Sequence, residues 1–188
     1  RGRGGALAAD HGLSVLGLLE QVKHLRDTEG YDPRICQASS SEMFGLVTEL
    51  PQTEGSPHHP RSPYAVSKSF AHHTAVNYRE SYVMFVAAAI LFNHESPLRP
   101  ESFVTRKISA GAAAIALGRQ ETLTLGRLDV RRDWGASADY VRAMHAILQH
   151  DRPETYNVAT GTSHSLDDFL HAAFSAAGVP DYRDRIQS

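Results

Sequence analysis

The sequence predicts an α/β protein built on a parallel sheet, and three observations carry that prediction. Strand-like and helix-like segments alternate along the chain. One segment, Val83-Met-Phe-Val-Ala-Ala-Ala-Ile-Leu-Phe92, is apolar at every position, as a strand covered on both faces must be. Just before it, Ser62-Pro63 supplies an N-cap and a first-turn proline for a helix over residues 63–82.

The elements follow in order. Residues 1–9, rich in Gly and Ala without periodicity, read as a flexible leader; the remainder, 10–188, reads as one domain. Leu13, Leu16, Leu19 or Val22, and Leu25 recur at three- and four-residue spacing, which predicts an amphipathic helix ending by Gly30. Residues 34–39 form a short strand whose polar end, Ser39-Ser-Ser-Glu42, lies where open α/β sheets bind ligands. Residues 48–61 contain Pro51, Pro57 and Pro60 and form a loop. Beyond the apolar strand come a helix over 103–117, a strand over 121–125, a helix over 137–149, a strand over 155–159 and a helix over 165–177. Arg127, Arg131 and Arg132 read locally as a solvated basic turn.

Composition narrows the function. With 41% hydrophobic residues the chain has material for a core, so it is no disordered tail. Its 19 Lys and Arg against 21 Asp and Glu give a net charge of -2, which argues against nucleic acid or an anionic membrane as partner. No apolar run is long enough to span a bilayer, and the single cysteine, Cys36, sits inside a strand, so a cytoplasmic protein is expected. Of the eleven histidines, four fall in adjacent pairs, His58-His59 and His72-His73, not in a metal-binding His-x-x-x-His pattern, so no metal is expected.

Chemistry concentrates in two clusters. Tyr64 and Lys68 are four residues apart on one helix and therefore share a face. An ammonium about 6 Å from a phenol, at an effective dielectric near 20, favours the phenolate by roughly 2 to 3 kcal/mol, enough to make the pair a working base. Alone, that spacing also suits any solvated helix. Ser40 and Glu42 add a hydroxyl and a carboxylate from the end of a strand some twenty residues earlier, although the same residues make an ordinary capped turn.

Taken together, Gln37-Ala-Ser-Ser-Ser-Glu-Met-Phe-Gly45, Pro60-Arg-Ser-Pro-Tyr-Ala-Val-Ser-Lys68, Asn77-Tyr-Arg-Glu80, Ile90-Leu-Phe-Asn-His-Glu-Ser-Pro97, Phe103-Val-Thr-Arg-Lys-Ile108 and Arg132-Asp-Trp-Gly135 resemble GDP-mannose 4,6-dehydratase, within the extended short-chain dehydrogenase/reductases. The resemblance covers about residues 12–178. It implies a Rossmann-like sheet with helices on both faces, part of a small substrate-binding region, and a retained NADP that takes a hydride from C4 of GDP-mannose and returns it to C6 after water is lost. By position, Tyr64 is the base at O4, Lys68 holds the nicotinamide ribose, Glu42 acts at C5 and O6, and Ser40 bonds the sugar near O4. His94 and Arg99 match cofactor contacts; Asn93, Val104, Lys107 and Arg132 match contacts to the sugar nucleotide.

The departures are equally specific. No Gly-x-x-Gly-x-x-Gly follows a strand, so the sheet is incomplete and the chain reads as a piece cut at both ends. Phe44 replaces the family's usual tyrosine, and Leu98-Arg99-Pro100 replaces a more basic turn ending in glycine. The strand ending at Ser39 is expected to lack a neighbour on one side, which predicts a homo-oligomer, aggregation or a complementing chain. Two rivals stand beside the dehydratase: a related nucleotide-sugar epimerase, and a cofactor-free remnant serving as an interaction subunit.

Overall fold

The computed structural model describes residues 6 and 8–187; of the predicted leader, residues 1–5 and 7 lie outside the described residues. The chain divides into two compact units, Arg1–Phe92 with Ala138–Ala159, and Asn93–Ser137 with Thr160–Ser188.

In the first unit a π-helical turn, Ala9–Leu13, leads into helix α1, Ser14–Glu29, which stops at Gly30 in the left-handed conformation. Strand β1 is Ile35–Ser40, followed by a 3-10 turn, Ser41–Met43. Helix α2 spans Pro63–Tyr82, as the Ser62-Pro63 signal predicts, and strand β2 spans Val86–Leu91. Helix α4, Ser137–Gln149, and strand β6, Thr155–Val158, complete the unit. The strands lie in the order β1-β2-β6 and all run parallel, with Ile35 opposite Val86 and Leu91 opposite Val158.

The apolar run is the central strand because it alone can be dry on both sides. Val86 packs with Leu19 and Val22 of α1 and Ala75 and Tyr78 of α2, while Ala87 and Ala89 meet Ile147 and Met144 of α4. Alternate side chains of a strand point to opposite faces, so helices cover both. Alanine at 87–89, fully buried, lets those helices approach closely. Among the described residues β1 pairs with β2 alone, which leaves its other edge without a strand.

The second unit holds β3, Asn93–Glu95; helix α3, Val104–Ala116; β4, Leu123–Thr124; β5, Arg131–Ala136; β7, Ser163–Ser165; helix α5, Leu166–Ala176; and β8, Ile186–Gln187. Strand β5 runs parallel to β3 and antiparallel to β7, so Arg131 and Arg132 lie in a strand where sequence alone reads a turn. Ile108 and Ala112 of α3, Leu170 and Phe174 of α5, Leu123 and Tyr182 form the core. Gly111 lets α3 pack closely on β4: a Cβ there would lie 2.8 Å from a terminal methyl of Leu123, which would have to shift. Ser165 opens α5 with a reciprocal capping box to Asp168, which satisfies two otherwise unpaired backbone amides.

Candidate active site

Four of the candidate residues arise in the first unit from two segments that fold onto each other. Ser40, in extended conformation, ends β1, and its hydroxyl accepts the Glu42 amide at 3.3 Å, capping the 3-10 turn. Met43 and Phe44, both buried, pack with Ile90 and pin that turn to the sheet, while Glu42 stays exposed. Gly45 then turns the chain at φ +55, where a Cβ would lie 1.9 Å from the His59 carbonyl oxygen. Leu46 donates to that same oxygen at 3.1 Å, and the His59 amide returns to Met43 O at 3.1 Å, which closes the loop beneath the turn.

The Ser62 hydroxyl accepts the Ala65 amide at 3.1 Å, so α2 begins there and sets Tyr64 and Lys68 in its first two turns. Ala65, Ala71 and Ala75 are buried small residues along the helix. Tyr64 and Lys68 are half-buried; the Lys68 ammonium donates to Ala38 O of β1 at 3.0 Å and lies 5.8 Å from the centre of the Tyr64 ring. Burial pushes the Lys68 ammonium below its ordinary value. Helix α2 packs against β1 and against the 3-10 turn. Hydroxyl, carboxylate, phenol and ammonium thus sit on adjoining elements of one unit.

The remaining candidates belong to the second unit. Asn93 and His94 lie on β3 opposite Trp134 and Gly135 of β5. Arg99 grips Glu95 with two bonds, 2.8 and 3.3 Å, and its guanidinium lies 4.0 Å from the centre of the Phe103 ring. Val104 and Lys107 occupy the exposed first turn of α3. Arg132 is exposed on β5, donating to Arg131 O at 2.8 Å. A planar, forked guanidinium suits a diphosphate.

Sequence reasoning passed over two residues here. His11, from the π-helical turn, sets its ring edge-on to Tyr64 with centroids 5.3 Å apart; no periodicity links segments so far apart in the chain. Glu95 holds Arg99 across the turn after β3, outside any helix, so no sequence periodicity signals the pair. Among the described residues no group of three or more His, Cys, Asp or Glu can hold a metal ion. For a nicotinamide cofactor the fit is at one end. Lys68 gives one of its three donors to Ala38 and can offer the others to a ribose diol, whereas the described residues contain no glycine-rich strand-to-helix turn to cradle the diphosphate.

A family profile described as GDP-mannose 4,6 dehydratase matches residues 6–186. The chain is 48% identical over 175 residues to a GDP-mannose 4,6-dehydratase of Sinorhizobium fredii, covering 93% of this chain and 47% of that relative. It is 47% identical over 170 residues to a GDP-mannose 4,6 dehydratase of Dictyostelium discoideum, covering 89% and 47%. The chain spans about half the length of the curated relatives it matches. Among solved structures it resembles RMD from Pseudomonas aeruginosa complexed with NADPH, at TM-score 0.82 and 29% identity over 90% of this chain and 58% of that one. It also resembles dTDP-glucose 4,6-dehydratase from Bacillus anthracis in complex with NAD, at TM-score 0.82 and 23% identity over 96% and 55%, a likeness of fold alone.

Proposed function

Because the chain belongs to the GDP-mannose 4,6-dehydratase family, we propose that it carries the acid–base half of a dehydration of GDP-mannose to GDP-4-keto-6-deoxymannose. NADP, its nicotinamide ribose held by Tyr64 and Lys68, supplies a hydride acceptor and later a hydride donor, so no outside oxidant is consumed.

Tyr64 takes the proton of the O4 hydroxyl as C4 becomes a carbonyl, and when C6 is later reduced C5 takes up a proton drawn from solvent, which completes the balance. The neighbouring carbonyl makes the C5 hydrogen acidic, and the Glu42 carboxylate removes it and then protonates the departing O6 hydroxyl. Being exposed while its turn is anchored by Met43 and Phe44, Glu42 can meet a sugar without the backbone moving. Ser40 spends its oxygen on the Glu42 amide and keeps its O–H to give to the sugar near O4. His94 and Arg99 serve the cofactor, and Asn93, Val104, Lys107 and Arg132 serve the sugar nucleotide.

The observation that carries this reading is the bond from Lys68 to Ala38, which ties the helix bearing Tyr64 to the strand that ends in Ser40 and leads into the turn bearing Glu42. The open edge of β1 supports association with a second copy or a complementing chain, measured by analytical ultracentrifugation: a monomer at all concentrations contradicts it. We place the protein in the cytoplasm, where Cys36 stays a thiol; none of the described helices is long and apolar enough to cross a membrane.

The test is direct. Titration of NADPH with the chain is expected to change nicotinamide fluorescence, and NADP with GDP-mannose to yield a keto sugar lighter by one water. Product that disappears in Tyr64→Phe is the expected result. No cofactor binding at millimolar concentration overturns the reading in favour of a non-catalytic subunit.

A further inference from the structure

Tyr64, Lys68 and His72 follow one another at four-residue steps along one stripe of α2, and the last two both grip β1. Lys68 holds the Ala38 carbonyl at 3.0 Å, and His72 Nδ1 shares a hydrogen bond of 2.8 Å with the hydroxyl of Ser39. Both members of the second pair are buried, His72 at 5% exposure and Ser39 at 2%. A buried polar pair of this kind is made deliberately, because either group left alone would be stranded away from water.

The surroundings of His72 keep it neutral. The His58 ring, brought in by the loop before α2, has its centre 5.3 Å away, and the His73 ring 5.5 Å away. His58 in turn is fixed by Ser69 at 3.1 Å and meets the Phe44 ring. His58, His73 and Arg79 are the titratable and charged groups that act on His72, and each disfavours a further positive charge there. No acid stands among them to compensate one.

We propose that His72 is a positioning residue for the candidate site: its bond to Ser39 locks β1 onto α2 in the register that delivers the Ala38 carbonyl to the Lys68 ammonium. The inference rests on the reading of Lys68 as the working ammonium of the site, and deepens it. Register is the quantity at stake. A slip of β1 by one residue turns every side chain to the opposite face, removing Ser39 from His72 and carrying Ala38 O away from Lys68. Within β1 itself the Gln37 side-chain amide also donates to Ala38 O, at 3.2 Å.

The chain contains three lysines, Lys23, Lys68 and Lys107, so its side-chain ammonium NMR spectrum is simple and is assigned with single Lys→Arg variants. The readout is solvent exchange of the Lys68 ammonium protons. His72→Phe and Ser39→Ala are each expected to speed that exchange at least tenfold, and the double variant no further. His72→Gln, whose amide can still bond Ser39, is expected to stay within threefold of the parent. Val22→Ala, a core truncation elsewhere in the same unit, is expected to leave Lys68 unchanged. If His72→Phe does not fold, Ser39→Ala and His72→Gln carry the test. Unchanged exchange in Ser39→Ala, or acceleration in Val22→Ala equal to it, overturns the proposal. The measurement needs neither substrate nor cofactor, so a chain that makes no keto sugar defeats the proposed function and leaves this result standing.

Discussion

Val83 ends α2 with φ 55 and ψ 35, the left-handed conformation, and it is the one non-glycine residue with positive φ among those described. For a β-branched residue this is a costly place to be, since its side chain crowds the carbonyl; an L-residue held there loses about 1 to 2 kcal/mol. The side chain recovers little by packing, being 83% exposed. Val83→Gly removes the strain but returns about 0.5 to 1 kcal/mol of freedom to the unfolded chain, so the net expectation is stabilisation by about 1 kcal/mol. In urea that is a midpoint raised by about 0.5 M at unchanged slope, and in a thermal scan a rise of about 2 to 4 °C. Val83→Ala keeps the left-handed strain of an L-residue and is expected to gain less than half as much. A glycine variant no more stable than the alanine variant refutes the reasoning.

Three further predictions follow from the site. Gly45→Ala drives a methyl into the His59 carbonyl and is expected to destabilise by more than about 2 kcal/mol, read by urea unfolding, while displacing the Glu42 turn. His72 is held at about 4 chiefly by burial, against 6.5 when unfolded, so the unfolded chain binds the extra proton between those values. Its contribution is full above pH 6.5 and lost as pH falls through 4; between pH 7 and 4.5 the parent is expected to lose about 2 to 3 kcal/mol more than His72→Gln in urea titrations. Tyr64→Phe is expected to lower turnover of GDP-mannose by about 10² to 10⁴ at unchanged far-UV circular dichroism.

What could be read from the sequence depended on whether a segment's backbone and its side chains tell the same story. In α2 they do: Ser62 and Pro63 announce the start, and the observed helix runs over the expected residues. Its end carries no glycine, the left-handed position being Val83, and is read at residue 82 from the apolar run that follows. In β2 the unbroken apolar run told of cover on both faces, although three residues at its start and one at its end lie outside the strand. Strands β3 and β5 were illegible for the opposite reason. Asn93-His-Glu95 and Arg131-Arg-Asp133 are polar, and only pairing with neighbours far along the chain makes them strands. The histidines show the same limit, since two adjacent pairs in the sequence say nothing of a loop that folds back to set His58 against His72 and His73. Tyr64, Lys68, Ser40 and Glu42 were legible as candidates because their residue types and order are specific, whereas the bond that joins their segments, Lys68 to Ala38, involves a backbone oxygen that no motif records.

The central claim is that the Glu42 carboxylate and the Tyr64–Lys68 pair act on a single hexose. Deuterium uptake at C5 of that hexose, followed by NMR in heavy water with GDP-mannose and NADP, tests it most directly. Uptake is expected with the parent chain and none with Glu42→Gln or Tyr64→Phe, because the carboxylate acts only once C4 is a carbonyl. Uptake that persists in Glu42→Gln contradicts it.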